Sequence, residues 1–251
     1  MSDIRNRFES YLQRFADGKI VDLPADDFNV RDVTVTNLIN VNSECLFAVV
    51  HFLFGYDDGS EMFTSNLGYR FAYRDDDHVS FDLDYLSGNT YLFKDFKVKK
   101  EKKIDNTPLY SFVPENNRDL IYLFAWALDT GDKKLLENCC KEDVRIYRAG
   151  VNGDHYEMNG LKDADIFMKK YKEYYFQNQY SLVIEREDEN EVLAYHLYPA
   201  NTGNKHLGSN TRYVQFFNED VTFTIDQMKI QNVIFKRKER PIVKRSRIIS
   251  L

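Results

Sequence analysis

From Asn117 to Asp132 (NRDLIYLFAWALDTGD) apolar residues recur at three- and four-residue steps, so that Leu120, Leu123, Phe124, Ala127 and Leu128 share one face of a helix that must cover a sheet. Thr130-Gly131 ends it, because glycine reaches the left-handed conformation that helix ends use. Asp132 then caps a second helix with Leu135, Leu136 and Cys139 facing inward, and a strand from Val144 to Ala149 follows. A third helical pattern runs from Leu161 to Phe176 on Leu161, Ala164, Phe167, Met168, Tyr171, Tyr174 and Tyr175.

The same signals open the chain. Asn6 to Lys19 repeats the Asn-Arg start, the Tyr-Leu pair and the aromatic-Ala step before a Gly stop, with Ile4, Phe8, Tyr11, Leu12 and Phe15 as its buried face. Glu44 to Phe54 lies on Glu189 to Pro199 without a gap and sets His51 opposite His196. Tyr69 to Asp84 parallels Arg212 to Asp226, each read as two strands around an acidic turn, and Thr90 to Lys103 parallels Asn232 to Arg240. Four matched segments in one order predict an internal duplication. Between the first helix and the long strands the first copy has room for only one strand, around Val30 to Val35, so two helices are expected to be missing from it. Asp105 to Asn116, with two prolines, reads as the linker. The expected domains are therefore a truncated unit, 1–106, and a complete one, 107–251.

Leu46, Ala48, Val50 and Phe52 alternate with Phe47, Val49 and Leu53, so this strand is apolar on both faces and must be covered on both. The expected fold is α+β: two tandem curved antiparallel sheets, helices on each concave face, packed sheet to sheet as an intramolecular pseudo-dimer and open to a homodimer as well.

Composition adds material for cores: hydrophobic residues are 43% of 251, and there are 17 Tyr and 19 Phe. Three cysteines, two of them adjacent at Cys139-Cys140, form neither a disulfide framework nor zinc-ligand spacing, which fits a reducing, cytoplasmic setting without a metal. No apolar run is long enough for a membrane span, and the charged N-terminus does not read as a signal peptide. Net charge is -6, yet 236–247 (KRKERPIVKRSR) carries seven Lys/Arg and one Glu. That stretch reads as a solvated terminus or as a docking tail for an acidic partner. The acidic remainder argues against nucleic acid.

The order helix, helix, strand, helix and long meander resembles the nuclear transport factor 2-like superfamily, including its SnoaL-like branch. Tyr122, Trp126, the ALDTGDKKLL run (Ala127 to Leu136), Asp143-Val144 and Gly160 carry the resemblance. It implies a cone: a bent sheet wrapping three helices around an aromatic-lined cavity, in a family of isomerases, dehydratases, dehalogenases, polyketide cyclases and non-catalytic binding or dimerisation modules. Asp129 falls on the family's catalytic Asp, which orients a His general base. That His is expected within Asn178 to Leu182, where this chain has Gln179, Tyr180 and Ser181 instead.

The catalytic candidates are accordingly Asp129, His196 and Tyr180, each set against a plainer role: a polar helix end, or a histidine satisfied inside a sheet. Candidate ligand contacts are Tyr122, Trp126, Tyr147, Phe167, Tyr171, Tyr175, Tyr198, Tyr213 and Phe217, residues that equally serve to fill a core. His155 and His206, in loops containing Gly and Asn, read as solvated. No phosphate loop, nucleophile elbow or calcium loop is present. The expected function is binding of a small apolar ligand or protein association, without a cofactor. The alternative is a cofactor-free lyase or isomerase for a small hydrophobic carbonyl or hydroxy compound.

Overall fold

Ile4, Phe8, Tyr11 and Leu12 recur at helical spacing, and the helix they build, α1 (Ser2–Ala16), buries all four. The computed structural model describes residues 2–16, 28–56, 68–84, 104–149, 155–174, 182–200, 213–237 and 242–245. The sequence-predicted strand from Thr90 to Lys103, and with it His206, Tyr175 and Tyr180, lies outside the described residues. Two compact units share the chain, dividing between Pro108 and Leu109.

The first unit pairs α1 with four antiparallel strands in the order β1 (Phe28–Asn42), β2 (Cys45–Tyr56), β3 (Gly68–Asp75) and β4 (His78–Asp84). Register shifts in β1 between Val30/Asp32, Val35/Asn37 and Asn40/Asn42 are the bulges that let a 15-residue strand bend. Cys45 through Val50 are all buried, as the doubly apolar alternation of β2 requires. Phe8 and Tyr11 meet Phe71 and Tyr73, with ring centroids 5.2–6.3 Å apart. At the β3–β4 turn Asp75 accepts the amides of Asp77 and His78, while Asp76 takes the Tyr73 hydroxyl at 2.8 Å and pairs with Arg14.

Burial, then the nearby Asp76 carboxylate, pushes the Tyr11 phenol from 10.0 to about 12 despite the opposing Arg14. The folded state thus holds this proton more tightly than the unfolded chain does. The associated stability is complete below pH 10 and is lost as pH rises through 12. Urea midpoints measured by circular dichroism are expected to fall across that window, and Tyr11→Phe is expected to flatten the fall. An unchanged slope in the variant would show that Tyr11 does not contribute to it.

The second unit begins with the predicted helix pair. In α2 (Asn117–Thr130) the Asn116 side chain accepts the Asp119 amide at 2.9 Å, and Gly131, at φ 67°, closes the end by donating to the Ala127 and Leu128 carbonyls. Asp132 caps α3 (Lys133–Cys139) through the Lys134 and Leu135 amides. The periodicity predicts one buried face for α2, whereas every residue from Leu120 to Asp129 is buried. The strands β5 (Cys140–Ala149) and β6 (His155–Asn159) follow, then α4 (Ala164–Tyr174), β7 (Leu182–Glu187), β8 (Glu191–Ala200), β9 (Tyr213–Asp226), β10 (Lys229–Arg237) and β11 (Ile242–Arg245). They form one sheet in the order β6-β5-β10-β9-β8-β7, with β11 beside β9; β5 and β10 are parallel and the other pairs antiparallel. Gly160, at φ 89°, precedes α4, and a Cβ there would stand 3.1 Å from the Glu142 carbonyl, so both conformation and space call for glycine.

The fold is α+β, with two sheets and a few helices. The meander β7–β10 has the connectivity of β1–β4. Three local expectations change. Arg212 to Asp226 is not a hairpin: β9 runs unbroken through Asn218-Glu219-Asp220, because buried Glu219 continues the inward alternation of Val221, Phe223 and Ile225. The turn comes instead at Gln227-Met228, both at positive φ. His155 opens strand β6, so it is not in a loop. Ile242–Arg245 is a strand, where a solvated terminus or docking tail was expected, since β9 outlasts β10 and offers its free edge.

Candidate functional site

Alternation sorts the residues of the second sheet into two faces. Val144, Ile146 and Arg148 on β5, Val233 and Phe235 on β10, Glu219, Val221 and Phe223 on β9, and Val192 and Ala194 on β8 are all buried. Phe124 of α2 meets Phe223 edge to face at 5.6 Å, which identifies this as the helix-covered face.

Two charges lie within it. Arg148 is 0% exposed and Glu219 1%, and Nη2 of Arg148 donates to the Glu219 carboxylate. The guanidinium also lies 4.4 Å from the centre of the Phe235 ring. Since β5 and β9 flank β10 without pairing to each other, the ion pair bridges two strands across a third. Sequence reasoning passed over both residues, reading Glu219 as part of a turn. The usable signal was period two: Arg148 follows Val144 and Ile146 in phase, and Glu219 precedes Val221 and Phe223 in phase.

Asp129 is also buried, at 4% exposure, near the end of α2. That helix starts where the Asn117 side-chain amide donates to the Asp188 and Glu189 carbonyls, at the β7–β8 turn. At about 1.5 Å per residue Asp129 lies roughly 18 Å further along the helix.

Of the other predicted residues, Tyr122 and Trp126 are buried on α2, with the Tyr122 hydroxyl 3.5 Å from Nη1 of Arg118, and Phe167 is buried on α4. Tyr171 is on α4 and Tyr213 at the start of β9. His196 is the cross-strand partner of Glu219, and Tyr198 that of Phe217. Tyr147 stands on the other face of β5 and is 42% exposed, so a site on the helix-covered face does not include it. Tyr175 and Tyr180 are not among the described residues.

Cys139 and Cys140 are buried with their sulfurs 4.0 Å apart, and burial raises the Cys140 thiol well above its usual range. Among the described residues no group of three or more His, Cys, Asp or Glu is placed to hold a metal, and no helix is long and apolar enough to cross a membrane.

No protein-family model and no curated protein matches the chain. Among solved structures it is similar to a nuclear transport factor 2-like protein from Anabaena variabilis, at 19% identity and a TM-score of 0.36, over 56% of this chain and 96% of that one. A proposed polyketide cyclase from Sinorhizobium meliloti matches at 16% identity and a TM-score of 0.32, over 49% and 95%. A nuclear transport factor 2-like protein of unknown function from Cytophaga hutchinsonii matches at 16% and 0.32, over 50% and 93%. Each match spans about half of this chain. At these identities and TM-scores the likeness says nothing of substrate or site.

Proposed function

We propose that the second unit is a binding module, holding a small apolar molecule between its helices and the helix-covered face of the sheet. The observation that carries this reading is the buried Arg148–Glu219 ion pair. The acid on this face is shut off from solvent and occupied by a guanidinium that ties β5 to β9, so it serves the wall of the unit rather than a reaction. Asn178 to Leu182, without a histidine, points the same way. Purified protein offered enones, hydroxy acids or epoxides is expected to leave them unchanged. Turnover that falls with Asp129→Asn would overturn the reading.

One observation favours a second reading, a cofactor-free lyase or isomerase. Asp129 is buried near the end of α2, and buried Glu219 has His196 as its cross-strand partner. An acid and a histidine sharing one substrate act as general acid and base, each contributing on the order of a hundredfold or more. On this reading Asp129→Asn and His196→Gln each lower turnover by about that factor, and Tyr180→Phe tests the remaining candidate. Activity insensitive to all three would exclude it.

A further inference from the structure

The outer face of the second sheet, opposite the helix-covered one, carries its charges in a definite order. Residues paired directly across a ladder share a face, as do residues two apart along a strand. Through Tyr147 the ladders give one row over six strands: Glu157 on β6, Tyr147 on β5, Ile234 on β10, Thr222 on β9, Leu193 on β8 and Arg186 on β7. Two residues along β9, the next row runs Arg145, Asn232, Thr224 and Glu191 from β5 to β8. Two residues the other way, Lys236 on β10 stands beside Asp220 on β9. Taken from the line between β10 and β9, each charge on one side has its opposite on the corresponding strand of the other side. Glu157 answers to Arg186, Arg145 to Glu191 and Lys236 to Asp220.

That is the order of a self-complementary surface. A two-fold axis lying in the face, parallel to the strands and between β9 and β10, sets β10 of one copy over β9 of another, β5 over β8 and β6 over β7. Opposite charges then meet in all three rows, and symmetry makes each meeting twice. An axis along the rows would instead lay each strand on itself and bring like charges together. Glu191 keeps its own Arg186 at 3.0 Å, and a carboxylate has room for a second donor. Between the charged positions Tyr147 comes over Leu193 and Ile234 over Thr222. Tyr147 is 42% exposed and Ile234 48%, so the middle of the face holds apolar surface that a partner can take from water. Aligned sheets pack about 10 Å apart, a gap that facing Arg and Glu side chains span. We infer that the second unit pairs with a second copy of this chain, outer face to outer face about this axis. The apolar middle supplies most of the affinity and the charges set the orientation. The helix-covered face takes no part, so the pairing stands or falls apart from the binding module.

Sedimentation velocity of the full chain over rising concentration tests it. A species of twice the chain's mass is expected to grow in with concentration, and Ile234→Glu is expected to remove it. Arg145→Glu alone sets glutamate against Glu191 at both meetings, and Glu191→Lys alone sets lysine against Arg145. Each is expected to weaken association roughly tenfold or more. Mixed together, the two variants form a pair with one native and one exchanged contact, both attractive, and are expected to regain association that neither shows alone. That recovery also shows that both variants are folded. A chain that stays monomeric at every concentration overturns the inference, whether the face is open or covered by the first unit. A dimer that survives Ile234→Glu overturns it as well, by placing the contact elsewhere. A mixture no better associated than its components overturns the two-fold pairing of Arg145 with Glu191.

Discussion

Arg148→Ala is expected to destabilise the second unit by about 3–5 kcal/mol, because it leaves the Glu219 carboxylate uncompensated at 1% exposure. The loss has three sources in the geometry: the bond from Nη2, the guanidinium contact with Phe235, and the bridge from β5 to β9 over β10. Glu219→Ala strands the opposite charge and is expected to cost a similar amount. Replacing both partners by apolar residues of similar size, Arg148→Met with Glu219→Leu, is expected to recover most of the loss, since apolar packing then takes the place of two buried charges. The chain has one tryptophan, Trp126, buried on α2, so urea unfolding followed by tryptophan fluorescence reads the second unit directly. A double variant as unstable as the single ones would mean that the pair does more than neutralise itself.

Phe8→Ala is expected to cost the first unit about 3–5 kcal/mol, the usual range for removing a buried phenylalanine. Phe8 is 1% exposed and lies 5.7 Å from Phe71 and 5.2 Å from Tyr73 by ring centroids. Those rings stand on β3, so a cavity at Phe8 also loosens the seat of α1 on its sheet. Phe8→Leu retains apolar volume and is expected to lose markedly less. Calorimetric unfolding of the full chain checks both; equal losses would show that the aromatic ring itself, rather than burial of any apolar group, holds α1 in place.

Much of the fold was legible in local pattern. The α2–α3 pair followed from apolar spacing, the Gly131 stop and the Asp132 cap, all decided within a few residues of chain, where side chains meet their own backbone. The β2 strand followed from its doubly apolar alternation. One strand and one turn escaped for identifiable reasons. β6 is short and opens on a histidine just after Asn152-Gly153-Asp154, which locally reads as a loop. The break after β9 carries no Asn-Gly or Asp-Gly signal, because Gln227 and Met228 adopt positive φ without either. The acidic Asn218-Glu219-Asp220 was the more turn-like text, so the hairpin was set too early.

Helices, caps and alternating strands are short-range matters, and among the described residues the order of residues alone settled most of them: a helix and a meander in front, further helices and a second meander behind. Which charges lie inside was decided only by tertiary structure. Arg148 and Glu219 are 71 residues apart, and each taken singly belongs in water. Burial becomes tolerable only because strand order sets β5 and β9 on either side of β10, where each charge finds the other. Tyr147 makes the complementary case: an aromatic suited by type to a binding wall stands on the outer face, one residue out of phase with the interior.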